Sequence, residues 1–274
     1  MTLLSPEDQK IMARERVARA FLLLSSPCPT DVDELAATFL AAIGETAGTL
    51  TSARKFKAQN KLILTTTTAR VMVSSSRTPL GAEHFDKAVP PFAKSHDRAA
   101  MLNIISHHEA FLGLKLRFHS DPRRSVSLTL HRAMAALAGQ TATMAALWGP
   151  TGRLHHGDGF QSILQSRLPM ELFLAPRFHT TGPRKLPVLD FDGMRNIAGF
   201  RLRLHVIDIE RENAVQTGLD FARACFADQT LPQQKSFLFQ DRVFRLAHAP
   251  GTPDVTLIPL PEAQNAAIAQ VRTA

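Results

Sequence analysis

The chain has 274 residues, of which 45% are hydrophobic and 20% charged, and its mean hydropathy is -0.05. This composition excludes an intrinsically disordered chain, and no apolar run reaches the roughly 20 residues that a membrane-spanning helix needs. The formal net charge of +8 and the pI near 10.1 suit a polyanionic partner, but the arginines are scattered along the sequence and fit a dispersed basic surface equally well.

The N-terminal residues and the cysteine content favour a cytoplasmic protein. Residues 1–16 include Glu7 and Asp8 and lack a long apolar stretch, so they predict a polar leader or helix rather than a secretory signal. Cys28 and Cys225 are the two cysteines, too few for a disulfide framework in a chain of this size. We therefore expect two free thiols, with Cys225 in the core.

Residues 17–90 predict a first α+β half. Apolar runs and stretches of β-branched residues predict strands, and a run with helical spacing predicts a helix that begins after Thr30. The loop over 74–91 is rich in proline and predicts the boundary to a second half. In chain order the predicted elements are a strand over 17–25, a helix over 30–43, and two or three strands within 49–56 and 61–74.

Residues 91–274 predict a second α+β half, which can also continue the first half as one domain. Leu114, Leu116 and Phe118 alternate with Lys115 and Arg117, which predicts a strand with one buried and one wet face. The predicted elements are strands over 99–106 and 113–119, a helix over 125–140, a strand over 143–148, a short helix near 160–165, strands over 171–178 and 200–206, a helix over 213–226, strands over 236–239, 242–247 and 255–260, and a terminal helix over 261–272.

The order of these elements predicts the fold class. Helices and strands are mixed without a regular strand–helix–strand alternation, which is typical of an α+β fold. We expect mixed, largely antiparallel sheets with helices packed on one face. The two halves open with similar units, which is compatible with two ferredoxin-like halves, although no residue-level repeat supports a duplication.

The stretch 144–160 contains the candidate ligand site. It holds the only tryptophan, two adjacent histidines and four glycines between a predicted strand and a predicted helix. Such junctions hold ligands in many mixed folds, and an ordinary turn has the same composition. A histidine could act there as acid or base while the tryptophan stacks on a substrate. The candidate ligand-binding residues are Trp148, Gly149, His155, His156 and Asp158.

Cofactor and metal motifs are missing from the sequence. The glycines between 149 and 159 lack the Gly-Lys-Ser/Thr of a phosphate loop and the spacing of a dinucleotide fingerprint. His155 and His156 would point to opposite faces of a strand, so they cannot bind one metal together. Asp190 and Asp192 lack a third spaced carboxylate, and we interpret their segment as a solvated turn. We therefore expect no catalytic motif, no cofactor and no metal site.

Several stretches together resemble a known family. An Ala-Ala-Leu helix end leads into a strand ending in Trp148-Gly149, and Phe173 occupies a position where the family often has tryptophan. The chain resembles the bacterial family catalogued as domain of unknown function 4261, which has no established activity, so the resemblance implies a fold and a bacterial origin but no mechanism. The stretches that carry it are 135–149, 154–155, 168–174, 244–250 and 21–27, and less closely 180–182 and 209–210.

Three classes of function follow from these observations. The lack of catalytic motifs and the broad predicted sheets favour a non-enzymatic cytoplasmic protein-binding module, such as an immunity, adaptor or accessory protein of a bacterial secretion or toxin system. The first alternative is a small-molecule enzyme with a pocket around Trp148, His155 and His156. The second is a basic nucleic-acid-binding protein, against which stand the absence of tyrosine and of an aromatic–basic RNA-binding motif.

Overall fold

The computed structural model describes residues 17–28, 37–38, 40–42, 49–56, 60–90, 93–118, 123–228, 236–239, 242–248 and 254–261. The predicted leader over 1–16, most of the predicted helix over 30–43 and the predicted terminal helix lie outside these residues. The chain divides into two compact units between Phe173 and Leu174. Each unit has one sheet, mostly antiparallel, together with helices, which confirms the α+β class.

The division of the chain differs from the predicted boundary near residue 90. Strand β4, Ala69–Ser76, and strand β5, Ala110–Phe118, lie on either side of the proline-rich loop and pair along most of their length. A connection between neighbouring antiparallel strands belongs to one domain. The proline-rich loop therefore connects two strands of the same sheet and is not a linker between two halves.

The first unit is built on a seven-stranded antiparallel sheet with the order β2-β3-β4-β5-β1-β6-β7. Consecutive strands pair in four places, β2 with β3, β3 with β4, β4 with β5 and β6 with β7, and β1 lies between β5 and β6. The remaining strands are β1 Val17–Leu24, β2 Leu50–Phe56, β3 Lys61–Thr66, β6 Thr143–Trp148 and β7 Arg153–His156; the helices are α1 Ser95–His107, α2 Arg123–Ala138, α3 Gly157–Gln165 and α4 Met170–Phe173, with a short 3-10 helix at Ala82–His84.

The two faces of this sheet are covered differently. Helix α2 contacts β1 and β5 on the face that carries Ala20, Leu22 and Leu114, all of which are buried. On the opposite face, α1 packs at the end of the sheet formed by β1, β6 and β7, where Leu23, Ala145, Leu147 and Leu154 form a buried cluster with Leu80, Ala88 and Ile104. Towards β2, the same face carries mostly polar and charged side chains, together with the buried Ile63, the half-buried Met72 and the exposed Phe56.

Helix α1 corrects the predicted strand over 99–106. Met101, Ile104 and Ile105 face the apolar cluster, whereas Leu102 is 47% exposed. Contacts at intervals of three and four residues are those of a helix and not of an alternating strand. The prediction was wrong because a short apolar run does not distinguish a buried strand from a helix by its pattern alone.

The second unit contains a six-stranded sheet with the order β11-β12-β13-β10-β9-β8, in which only β10 and β13 are parallel. One helix, α6, packs on β9 and β10, and it approaches closely because Gly218 lies against the ring of Phe191. The strands are β8 Ala175–Thr181, β9 Leu186–Asp192, β10 Arg201–His205, β11 Ser236–Phe239, β12 Arg242–His248 and β13 Asp254–Pro259; the helices are α5 Met194–Ala198 and α6 Arg211–Asp228.

Two further predictions change in this unit. The segment with Asp190 and Asp192, interpreted as a solvated turn, is the C-terminal end of strand β9, where both carboxylates pair with arginines of neighbouring strands. The predicted strand over 171–178 is divided into α4 and the beginning of β8. The strand orders of the two sheets do not confirm ferredoxin-like halves.

Candidate functional site

Trp148 lies in the core of the first unit. Its side chain is fully buried, and its ring centroid lies 5.5 Å from that of Phe173. The Phe173 ring also meets the edge of His131, a buried histidine of α2 whose pKa is lowered by burial. The ring of Trp148 is therefore a packing element beneath α2, with no surface to offer a ligand in this state.

Gly149 allows two strands to approach closely. Its backbone N–H donates a hydrogen bond of 3.0 Å to the carbonyl oxygen of Arg19 at the β1–β6 contact. A β-carbon at Gly149 would collide with that same oxygen. The glycine is needed for this contact between strands, which accounts for the Trp-Gly pair without a ligand.

His155 and His156 point to opposite faces of the sheet, as the sequence predicted. His155 lies opposite Ala146 on the face that also carries Trp148, and His156 lies opposite Ala145 on the other. The Nε2 atom of His155 is covered and has no hydrogen-bond partner. Burial, followed by the nearby charges of Arg153 and His156, lowers the pKa of His155 to about 4, so its imidazole is neutral at pH 7.

Asp158 is exposed in the first turn of α3. The five candidate residues are thus divided among the core, a contact between strands and the surface. Among the described residues, no group of three or more His, Cys, Asp or Glu side chains is placed to hold a metal ion. His108, from the other histidine pair, is structural, because its Nε2 accepts the Leu80 N–H at 2.8 Å.

A second candidate site, which the sequence-based predictions did not include, lies on strands β1 to β5 of the first sheet. We call it the cationic face: six basic side chains of β1 to β5 that share the face opposite α2. The strand register places them in adjacent cross-strand rows rather than at scattered points. The members are Arg19, Arg54, Lys61, Arg70, Lys115 and Arg117.

Like charges lie directly opposite each other on this face. Arg19 is opposite Lys115, and Arg70 is opposite Arg117. The arginines are exposed and the lysines partly exposed, and strands β1 to β5 contain no Asp or Glu. Within the part of the chain that the structure describes, no ion pair involves any of the six. The cationic face therefore concentrates positive charge that no carboxylate of its own strands compensates.

The sheet of the second unit shows the opposite arrangement on its polar face. Asp190 lies directly opposite both Arg177 and Arg203, and Arg201 lies opposite Asp254. Arg203 holds Asp190 through two hydrogen bonds of 2.7 and 3.1 Å, which raise the pKa of Arg203. The opposed cations Arg19 with Lys115 and Arg70 with Arg117 thus have no carboxylate opposite them, whereas Arg203 of the second unit lies opposite Asp190.

Part of the signal for the cationic face was present in the sequence. The wet positions Lys115 and Arg117 were predicted, and the structure confirms that they alternate with buried neighbours. The alignment of these positions with Arg19 and Arg70 depends on pairing between strands that are far apart in the sequence. A survey of charge blocks along the chain therefore could not detect it.

Comparisons with known proteins add no functional information. The chain matches no family model, no curated protein and no solved structure. The resemblance to the family of unknown function 4261 stays a prediction. No helix among the described residues is long and apolar enough to cross a membrane. The functional argument therefore rests on the geometry of the chain itself.

Proposed function

We propose that the chain is a binding protein whose cationic face holds the phosphate backbone of a nucleic acid. The observation that carries the proposal is the pair of like-charge contacts, Arg19 with Lys115 and Arg70 with Arg117. Like charges placed directly opposite each other destabilise a sheet. A polyanion bound across the face would offset the repulsion between these cations, because each of them attracts its negative charges.

The chemistry of the face favours phosphates. Four of its six cations are arginines, whose guanidinium forks match phosphate oxygens in geometry and charge. Neighbouring strands are about 4.8 Å apart, and residues on one face repeat at about 6.8 Å along a strand. A polymer with evenly repeated charges can engage several of these positions at once, whereas a single small anion cannot.

A protein partner, the first expectation from the sequence, is less well supported by this surface. The centre of a protein interface is depleted of charged residues and enriched in apolar and aromatic ones. Here the positions between the cations hold the polar Ser52, Thr65 and Ser74, together with the half-buried Met72 and the buried Ile63. We therefore treat an acidic protein as the alternative outcome of the test.

The test compares two charge-reversed double variants. Arg70→Glu/Arg117→Glu changes the cationic face, and Arg98→Glu/Arg184→Glu changes the net charge equally at exposed positions elsewhere. Binding of a labelled oligonucleotide is followed by fluorescence anisotropy at ionic strengths of about 50 to 200 mM. We expect the first variant to lose at least about tenfold in affinity and the second less than about threefold.

Equal losses in both variants would mean that only net charge matters and would overturn the proposal. Tight binding of polyglutamate together with weak binding of the oligonucleotide would favour an acidic protein partner instead. All four positions are exposed, so we expect both variants to fold. Circular dichroism of both variants checks this.

A further inference from the structure

We infer that the nucleic acid bound by the cationic face is double-stranded DNA, held through its phosphates and without regard to base sequence. This inference rests on the proposed function and names its ligand class. Three features of the face carry it: the division of the cations into two groups, the width of the face, and the scarcity of exposed aromatic rings beside the cations.

The cations of the face divide into two groups separated by apolar side chains. The buried Ile63 and the half-buried Met72 lie between Arg54 and Lys115 in one cross-strand row. Three steps between neighbouring strands, each about 4.8 Å, separate these two cations by roughly 14 Å. We call the two groups the edge group and the central group. The edge group is Arg54 and Lys61, and the central group is Arg19, Arg70, Lys115 and Arg117.

Two groups at this separation match the two phosphate backbones of a duplex. In B-form DNA, the two backbones border a major groove that is about 12 Å wide. A duplex that lies with this groove towards the sheet presents one backbone to the edge group and the other to the central group. A single strand that joins the two groups must run over Ile63 and Met72, where its intervening phosphates would meet no cation.

The face is too wide to enter a groove and read the bases. From Arg54 on β2 to Arg19 on β1 it spans four steps between strands, or roughly 19 Å. The major groove admits a helix or a two-stranded ribbon, so the sheet stays outside it. Contacts to phosphates carry no sequence information. We therefore expect duplexes of different sequence to bind equally well.

Aromatic rings give little support to unpaired bases on this face. Phe56 is 40% exposed, and the Lys61 ammonium lies 5.8 Å from its ring centroid. Phe21 is half-buried, because it packs on the apolar cluster next to α1 with its ring 5.9 Å from that of Phe111. Surfaces that bind single strands combine cations with aromatic side chains on which successive bases stack. Here the affinity must follow the phosphates.

Phosphate contacts alone favour the duplex. Duplex DNA carries one negative charge per about 1.7 Å of its axis, and each contact contributes about 0.9 to the salt slope, against about 0.7 in a single strand. For about four neutralised phosphates, the two slopes differ by about 0.8. With equal affinities at about 1 M salt as the reference, the duplex binds about tenfold more tightly at about 50 mM and about fourfold more tightly at about 200 mM.

The experiment measures binding of the full chain to a DNA duplex of about 20 base pairs, to one of its separated strands, and to a second duplex of different base composition. Two double variants each remove two cations, Arg54→Gln/Lys61→Gln from the edge group and Arg19→Gln/Lys115→Gln from the central group. The matched control is Arg98→Gln/Arg184→Gln, which removes two exposed charges outside the face. A further variant, Phe56→Ala, removes the exposed ring.

We expect the wild-type chain to bind the duplex about tenfold more tightly than the single strand at about 50 mM salt, and the two duplexes within about twofold of each other. Each double variant of the face should lower duplex affinity by about tenfold or more, because each group contacts one backbone. The control should lose less than about threefold, and Phe56→Ala should bind both nucleic acids within about twofold of the wild type.

Equal or tighter binding of the single strand would overturn the inference and leave the proposed function standing. An unchanged duplex affinity in Arg54→Gln/Lys61→Gln would also overturn it, because only one backbone would then be held. The same holds for a loss of about fivefold or more in the single-strand affinity of Phe56→Ala, which would mean that bases stack on this ring. Failure of both nucleic acids to bind, or full affinity in Arg19→Gln/Lys115→Gln, would contradict the proposed function itself.

Discussion

Arg70 and Arg117 lie directly opposite each other on neighbouring strands, both exposed and with no carboxylate on either strand. Directly opposed like charges destabilise a sheet by a few tenths of a kcal/mol up to about 1 kcal/mol. In the second unit, Arg203 occupies an equivalent cross-strand position but is held by Asp190. We therefore expect Arg117 and Arg203 to respond in opposite ways to the same substitution.

Replacement of Arg117 by threonine should raise the free energy of unfolding by about 0.2 to 1 kcal/mol, since it removes the repulsion and introduces a good strand former. The same change at Arg203 should lower it, because Asp190 loses a bidentate partner. Urea unfolding at low ionic strength measures both effects. A loss of stability in Arg117→Thr as large as that in Arg203→Thr would contradict this interpretation.

The Gly149 contact with Arg19 gives a second prediction. Gly149→Ala would force a β-carbon against the Arg19 carbonyl oxygen, so β1 and β6 must separate, at a cost of about 1 to 3 kcal/mol. Gly159 in α3 is the matched control, because an added β-carbon there meets nothing within 4 Å. Gly159→Ala should be neutral or stabilising by up to about 1 kcal/mol. Equal destabilisation by both changes would argue against the strand contact.

His155 predicts a pH dependence of stability. Its pKa is about 4 in the folded protein, below the ordinary value of 6.5, so the unfolded chain binds a proton more readily. The free energy of unfolding should therefore fall as the pH drops from 6.5 to 4, by about 3 kcal/mol or less. His131, whose pKa burial also lowers, adds to the same trend.

The measurement is urea unfolding at several pH values in the wild type and in His155→Gln. The variant should show a shallower fall between pH 6.5 and 4, whereas the control His107→Gln, at an exposed position of α1, should follow the wild type. If His155→Gln and the wild type fall equally, His155 is not the group that titrates.

Trp148 provides an intrinsic probe that separates the two candidate sites. It is the only tryptophan and is fully buried, on the face opposite the cationic face. Its fluorescence should be shielded from acrylamide and should not shift when an oligonucleotide binds. A change in emission or quenching at saturation would indicate that the ligand reaches the Trp148 side of the sheet.

The sequence predicted those features that depend on local patterns. The alternation around Leu114 and Lys115 gave the correct buried and wet faces, and adjacency alone placed His155 and His156 on opposite sides. The prediction over 99–106 was wrong because a short apolar run has no unique period. A local pattern is sufficient to predict which face a side chain occupies where only one strand is involved.

The cationic face could not be predicted because it depends on register. Arg70 and Arg117 are 47 positions apart, and a shift of one residue between β4 and β5 would place them on opposite faces. That register follows from the buried Val71, Val73, Leu114 and Leu116, which must share the core face. The hydrophobic core thus determines which charges come together.

The most direct test of the central claim is the salt dependence of oligonucleotide binding in the wild type and in Arg70→Glu/Arg117→Glu. For a single strand, the logarithm of the affinity should fall with the logarithm of the salt concentration, with a slope of about −0.7 for each phosphate contacted. We expect the double variant to have a slope shallower by about 1 to 2. An unchanged slope in the double variant, or no binding by the wild type at about 50 mM salt, would contradict the claim that this face binds nucleic acid.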